Sequence, residues 1–198
     1  MTSSFSPPPQ LQCGLDTMIL VFSLLQGHPA ATACEQLLRA HAGWFTSPWV
    51  LFEAKAVLTK VYGEDPALVT QKLAQVAHGP VVLVDLARTD VITVLQLADT
   101  HALDLTDAVL LYLVRRHGAR FLASDDQRLS LVCSQFGITP LSPLDSALRQ
   151  AVGAWEASHV PPKGLPRVLR RVHQWLSHSH PQAAQDFWSR TGGGSHLP

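Results

Sequence analysis

The chain has 198 residues, 46% of them hydrophobic and 15% charged. That length suits one α/β domain with an appendage, and the apolar content excludes an intrinsically disordered chain. The formal charge is zero, which removes the whole-molecule field that would draw nucleic acid or an anionic membrane nonspecifically, but the sign is uneven: residues 1–150 carry 10 Lys/Arg against 13 Asp/Glu, and residues 151–198 carry 5 against 2.

In chain order, "MTSSFSPPPQ" (1–10) reads as a mobile Ser/Pro leader, because consecutive prolines favour extended chain and donate nothing to a ladder. "LQCGLDT" reads as a short strand, followed by an apolar helix near Met18 to Leu25, a turn at His28-Pro29 and a helix from Ala31 to Ala42. Ser47-Pro48 is a helix start signal and Gly63 a stop, giving a helix from about Pro48 to Tyr62. Another helix, about Asp65 to Ala77, leads to "VVLVDL", a Val-rich run that suits a buried parallel strand. Helices at about Thr89 to His101 and Leu105 to His117, a strand "ARFLAS", a helix "DQRLSLVCSQF" ending at Gly137 and a last strand "ITPLS" complete the pattern. Strands alternating with helices imply a three-layer α/β/α sandwich around a central parallel sheet, here spanning 11–147. Residues 148–198 form a helical extension with a Pro-rich linker, "HVPPKGLP", and a flexible end, "TGGGSHLP".

Cys13, Cys34 and Cys133 are odd in number and far apart, which argues against a disulfide framework or a cysteine zinc site. A reducing, cytoplasmic compartment follows most simply. "MILVFSLL" imitates the apolar part of a secretory signal, yet no Lys or Arg precedes Arg39 and Asp16 abuts the run. No apolar run reaches the roughly 20 residues a membrane span requires.

Several acids stand where acids are costly. Glu53 has Trp49, Val50, Ala56 and Val57 as its helical neighbours, so its side is expected to face inward. An ionised carboxylate facing a core needs a partner or a metal, unless it reaches water at the edge of the stripe. Asp107 opens a helix that is apolar nearly all round; alternatively, Asp104 caps that helix and Asp107 sits at N3, favoured by the free N–H groups. Asp16 ends the first strand, and Asp125-Asp126 follow the "RFLA" strand, where Ser124 or Asp125 would serve as a cap. Residues at the carboxyl ends of parallel strands face the ligand crevice, so these acids are expected to meet there. Four carboxylates without matching arginines call for a divalent cation, and all-oxygen ligation selects Mg2+ or Mn2+.

The ordered set "LDT" at Asp16, "SPWVLFEAKAVL" around Glu53, "LTDAVLLYLV" around Asp107 and "LASDDQRL" at Asp126 resembles the PIN-domain family, most of all the VapC-type toxin ribonucleases of bacterial toxin-antitoxin pairs. The likeness runs from about Leu11 to Leu144. It implies a Mg2+- or Mn2+-dependent endoribonuclease that hydrolyses RNA phosphodiester bonds, with Asp16, Glu53, Asp107 and Asp126 as catalytic metal ligands. Asp125 is an alternative or additional ligand, because a one-residue shift in the Ser124-x-Asp126 element would select it. Thr17 and Ser124 would support the cluster by hydrogen bonds. The resemblance further implies an antitoxin partner and a homodimer; the apolar helix near Met18 to Leu25, which exceeds what one small sheet obviously buries, points to a dimer as well. The extension beyond a minimal toxin leaves a housekeeping PIN nuclease of RNA processing or decay as the alternative. A noncatalytic RNA-binding module would be expected to lack one or more of the acids. A phosphatase of the haloacid dehalogenase type would need an aspartate at the position of Met18.

In the tail, "RVLRRVHQWLSH" is amphipathic: Val168, Leu169, Val172, Trp175 and Leu176 form an apolar stripe, with Arg167, Arg170 and Arg171 on a basic side. Such a helix packs on its own domain, contacts RNA phosphates or docks on another protein. His173, His178 and His180 have no carboxylate or cysteine among them and read as solvated surface rather than metal ligands.

Overall fold

The computed structural model describes residues 10–160 and 165–190; the expectations on the leader, the middle of the Pro-rich linker and the Gly-rich end fall outside the described residues. Two compact units divide after Val152.

The first unit is built on a five-stranded parallel sheet in the order β3-β2-β1-β4-β5, comprising β1 (Cys13–Leu15), β2 (Trp44–Thr46), β3 (Val82–Leu83), β4 (Phe121–Ala123) and β5 (Thr139–Leu141). The strands are so short that their side chains are set by the period of two alone. Cys13, Leu15, Trp44 and Ala123 join one core with α1 (Thr17–Leu24), α2 (Ala31–Ala40), α3 (Pro48–Lys60) and α4 (Pro66–Ala77). Phe45 and Leu122, of opposite parity, join a second core with α5 (Val91–His101), α6 (Leu105–Arg116) and α7 (Gln127–Gln135). Helices therefore cover both faces, the expected sandwich. Gly14 lets α6 approach the sheet closely: a Cβ there would stand 2.6 Å from Cγ2 of Val114.

Polar caps fix where the helices begin. Ser47 Oγ accepts from Trp49 N at 3.3 Å ahead of Pro48, and Asp65 accepts from Ala67 N and Leu68 N at 2.9 Å ahead of Pro66. Each satisfies N–H groups that have no partner in the helix, and each cap contributes about 1 kcal/mol.

The structure differs from the sequence expectations at three places in this unit. β2 was not expected, because three residues between Gly43 and the Ser47 cap show no alternation long enough to register; all three are buried. "VVLVDL" is not a buried strand. Only Val82–Leu83 pair, with β2 alone, and at the sheet edge Leu83 keeps 37% of its surface in solvent. The apolar helix after β1 leaves no excess for a dimer contact: Ile19, Leu20, Val21, Phe22 and Leu25 are all buried in the first core, packed with α2, α3 and α4. That reason for a homodimer is therefore withdrawn.

α8 (Ser146–His159) contains the boundary between the units. In the second unit α9 (Leu165–Ser179) is the amphipathic helix expected from the sequence, and α10 (Pro181–Arg190), which was not expected, packs on it through buried Ala184 and a His173–Trp188 ring contact at 4.4 Å. Among the described residues no helix is long and apolar enough to cross a membrane. All three cysteines are buried and unbonded.

Candidate active site

The strand order places the site. From β1 the chain winds outward to β2 and β3, then returns to β4 beside β1 and winds the other way to β5. Between β1 and β4 the connections leave in opposite directions, which opens a crevice at the carboxyl ends of the strands. The register pairs Leu15 with Ala123, so the next residues, Asp16 and Ser124, are side by side at its floor.

Asp16 is 4% exposed. Its carboxylate is held at both oxygens: Oδ1 accepts from Thr17 N as the cap of α1, and Oδ2 accepts from Ser124 Oγ at 2.7 Å. Burial pushes its pKa up to about 6, against the lowering effect of the Ser124 and Thr17 hydrogen bonds and with help from the charges of Glu53 and Asp126. Ser124 is central to this network, because the same hydroxyl oxygen accepts from Asp126 N at 3.0 Å.

Glu53 reaches the crevice from α3. It is half-buried at the border of the stripe formed by Val50, Ala54 and Leu58, rather than inside the core as its neighbours implied. Thr17 Oγ1 donates to Glu53 Oε2 at 2.7 Å, tying α3 to the first residue of α1. Thr46 Oγ1 donates to Leu15 O at 2.7 Å and locks the neighbouring strand end; its role was not read from the sequence.

Asp107 comes from the first turn of α6. Asp104 occupies the cap position of that helix but makes no side-chain cap hydrogen bond. Both therefore stand where the capping alternative put them, without the side-chain hydrogen bond of a cap. Burial, then the charges of Asp16, Asp126, Glu53 and Asp104, push the Asp107 pKa up to about 8. None of the influences on Asp16 or Asp107 comes from a lysine or arginine.

The two adjacent aspartates divide differently from the expectation. Asp126, not Ser124 or Asp125, is the cap of α7, accepting from Leu129 N at 2.8 Å through Oδ1. Asp125 turns away to Arg149 of α8, with N–O contact at 2.6 Å, and to Ser142 Oγ at 3.3 Å. It thus has the matching arginine that the sequence did not reveal, 24 residues downstream. Its pKa is still raised by burial, with Arg149 and Ser142 opposing.

The charges of Glu53 and Asp126 thus reach both Asp16 and Asp107, while Asp125 is held by Arg149. Among the described residues no three His, Cys, Asp or Glu side chains are gathered into a ready metal cage. The donor set is nonetheless all oxygen and, among the described residues, has no salt bridge to a lysine or arginine, the chemistry that suits a hard divalent cation. In the second unit, Arg171 is exposed on α9, and the side chains of Arg167 and Arg170 lie outside the described residues. His178 Nδ1 lies 2.9 Å from Gln174 O and His173 packs on Trp188, so neither stands in a ligand group.

A family model described as PIN domain matches residues 14–134. Among solved structures, the chain resembles VapC20 of Mycobacterium tuberculosis, a toxin that cleaves the sarcin-ricin loop, at 15% identity over 61% of this chain and 95% of that one, with a TM-score of 0.55. PAE2754 from Pyrobaculum aerophilum is 17% identical over 72% of this chain and 98% of that one, with a TM-score of 0.49. FitAB bound to an IR36 DNA fragment matches at 15% identity over 68% and 98%, with a TM-score of 0.49. No curated protein matches the chain.

Proposed function

Since this chain belongs to the PIN-domain family, we propose that it is a metal-dependent endoribonuclease in which Asp16, Glu53, Asp107 and Asp126 hold Mg2+ or Mn2+. One observation carries this reading: Asp16 is buried and Asp107 half-buried, and burial together with the charges of Asp16, Asp126 and Glu53 pushes Asp107 up to about 8, with no lysine or arginine among the influences on it. A protein core does not retain such a group for stability, since an unpaired buried charge is a net cost. A divalent ion bound there supplies Lewis acidity at a phosphodiester and makes water a nucleophile near neutral pH.

The chain's own residues have separable roles in this reading. Ser124 and the Thr17 amide orient Asp16 from both sides, and the Thr17 hydroxyl orients Glu53. Asp126 gives Oδ1 to the α7 cap, and in this reading its other oxygen would serve the ion. Asp107, raised to about 8, would hold a proton near neutral pH and would give it up to serve as a ligand. Asp125 serves the fold through Arg149 and is not a ligand.

Fold likeness to the VapC20 toxin supports a toxin-antitoxin role, with an antitoxin segment filling the acidic crevice. A housekeeping role in RNA processing is favoured by a different observation: the second unit lies wholly beyond the matched residues 14–134. A noncatalytic module is disfavoured because all four acids are present.

The deciding assay is cleavage of a mixed RNA pool by the purified chain with Mg2+, Mn2+ or EDTA, beside Asp16→Asn. Cleavage that needs both the ion and Asp16 is expected. Cleavage that survives EDTA, or that Asp16→Asn leaves intact, contradicts the proposal.

A further inference from the structure

We propose that α9 is an RNA-capturing helix on which Arg171 and Trp175 hold single-stranded RNA, by backbone charge and base stacking respectively. The idea rests on the nuclease reading for its ligand, but not on the acidic crevice for its chemistry.

A nuclease of this charge has a problem that the second unit answers. Residues 1–152 carry 10 Lys/Arg against 13 Asp/Glu, and the crevice itself is anionic, so the first unit repels the phosphates of the polymer it is to cut. Residues 153–198 carry 5 Lys/Arg against 2 Asp/Glu. Three of those five, Arg167, Arg170 and Arg171, fall within two turns of α9.

Trp175 adds the second element. It stands one turn beyond Arg171 and so shares its side of the helix, and 64% of its surface is in solvent. Its indole meets the His180 ring in a T-shaped contact at 6.3 Å, so no ring is stacked flat on it in that contact. The side of α9 that serves its own unit is different: His173 packs on Trp188 of α10, and Leu169 and Leu176 are half-buried. Trp175 thus lies at the border between the apolar stripe and the arginines, not at the centre of the stripe where a docked protein would cover it. An exposed indole beside arginine is the combination that binds single strands, since every base offers a π face and every nucleotide a phosphate. Stacking of this kind is tolerant of sequence, so α9 captures RNA and does not choose the cleavage site. Tethering alone raises the RNA concentration around the carboxylates, whatever the arrangement of the two units.

The test uses the full chain in EDTA, where binding is read without cleavage, with a fluorescent single-stranded RNA and its duplex as probes and circular dichroism as a check on folding. Trp175→Ala should weaken single-strand binding by about 5-fold or more and duplex binding much less. Arg171→Glu should weaken both and flatten the salt dependence by about one to two charges, whereas Arg171→Lys should bind nearly as wild type. Wild-type affinity in both Trp175→Ala and Arg171→Glu overturns the proposal. Because no cleavage is involved, that failure is separate from a failure of the nuclease reading, which the Mg2+ and EDTA cleavage assay reports.

Discussion

Two sets of acids in the first unit have opposite settings. Asp90 and Asp125 each have an arginine: Asp90 pairs with Arg116 and also accepts from Ala87 N at 3.1 Å, and Asp125 pairs with Arg149. Asp16, Glu53, Asp107 and Asp126 have hydroxyls, amides or one another, and among the described residues no arginine salt bridge. The first set closes turns and ties helices to the domain, so its charges are spent within the fold. The second set leaves charge unneutralised at the carboxyl ends of β1 and β4, where a ligand would lie. Acids alone do not mark a site; acids that the fold declines to neutralise do.

The largest contrast should come from removing one member of each set. Asp107→Asn should lower cleavage by more than about a hundredfold, more than the loss of a supporting residue costs, and should raise the melting temperature in EDTA by relieving repulsion. Asp90→Asn should do the reverse, leaving cleavage per folded molecule intact while lowering stability by about 1–3 kcal/mol through the loss of charge-assisted hydrogen bonds. Parallel melting and cleavage measurements on the two variants read both effects.

The next test is pH. A carboxyl whose folded pKa lies above its unfolded value, near 4, binds more protons when folded, so stability is greatest below the unfolded value and is lost as pH rises through the folded one. With Asp16 at about 6 and Asp107 at about 8, the metal-free chain should melt at progressively lower temperature between pH 5 and 8. Asp107→Asn should flatten the upper part of that slope, and saturating Mn2+ should remove most of it. A melting temperature that rises with pH across this window would refute the assignment.

A smaller effect is expected from Ser124→Ala, which deletes the donor to Asp16 and the acceptor for Asp126 N in one change. Cleavage should fall by about 10- to 100-fold. Smallest of all, Asp125→Asn should cost about 1 kcal/mol or less of stability, as partly exposed ion pairs do, and should leave cleavage unchanged. Loss of cleavage there, with Asp126→Asn active, would reverse the choice between the neighbours.

How much of this was readable beforehand follows from the range of the interactions. The α/β order and most helix starts were legible because caps and periodicity are local: Ser47-Pro48 and Asp65-Pro66 announce α3 and α4. β2 was not, since a three-residue strand is defined by its neighbours more than by itself. The acids stood out because Glu53 and Asp107 interrupt apolar surroundings. That Asp126 caps α7 while Asp125 pairs with an arginine was not legible, because it depends on the turn that Ser124 Oγ makes with Asp126 N and on Arg149 brought from α8. The inference of a dimer from α1 failed for a similar reason: the helices that cover it, α2 to α4, are assembled only in three dimensions.

The most direct measurement is Mn2+ binding by calorimetry in two buffers of different ionisation enthalpy, comparing wild type with Asp107→Asn. Wild type should bind Mn2+ with release of a proton near pH 7, and Asp107→Asn should bind at least about tenfold more weakly without that release. A wild-type chain that binds no Mn2+, or a variant that binds it equally well, would contradict the assignment of the unneutralised carboxylates to a metal.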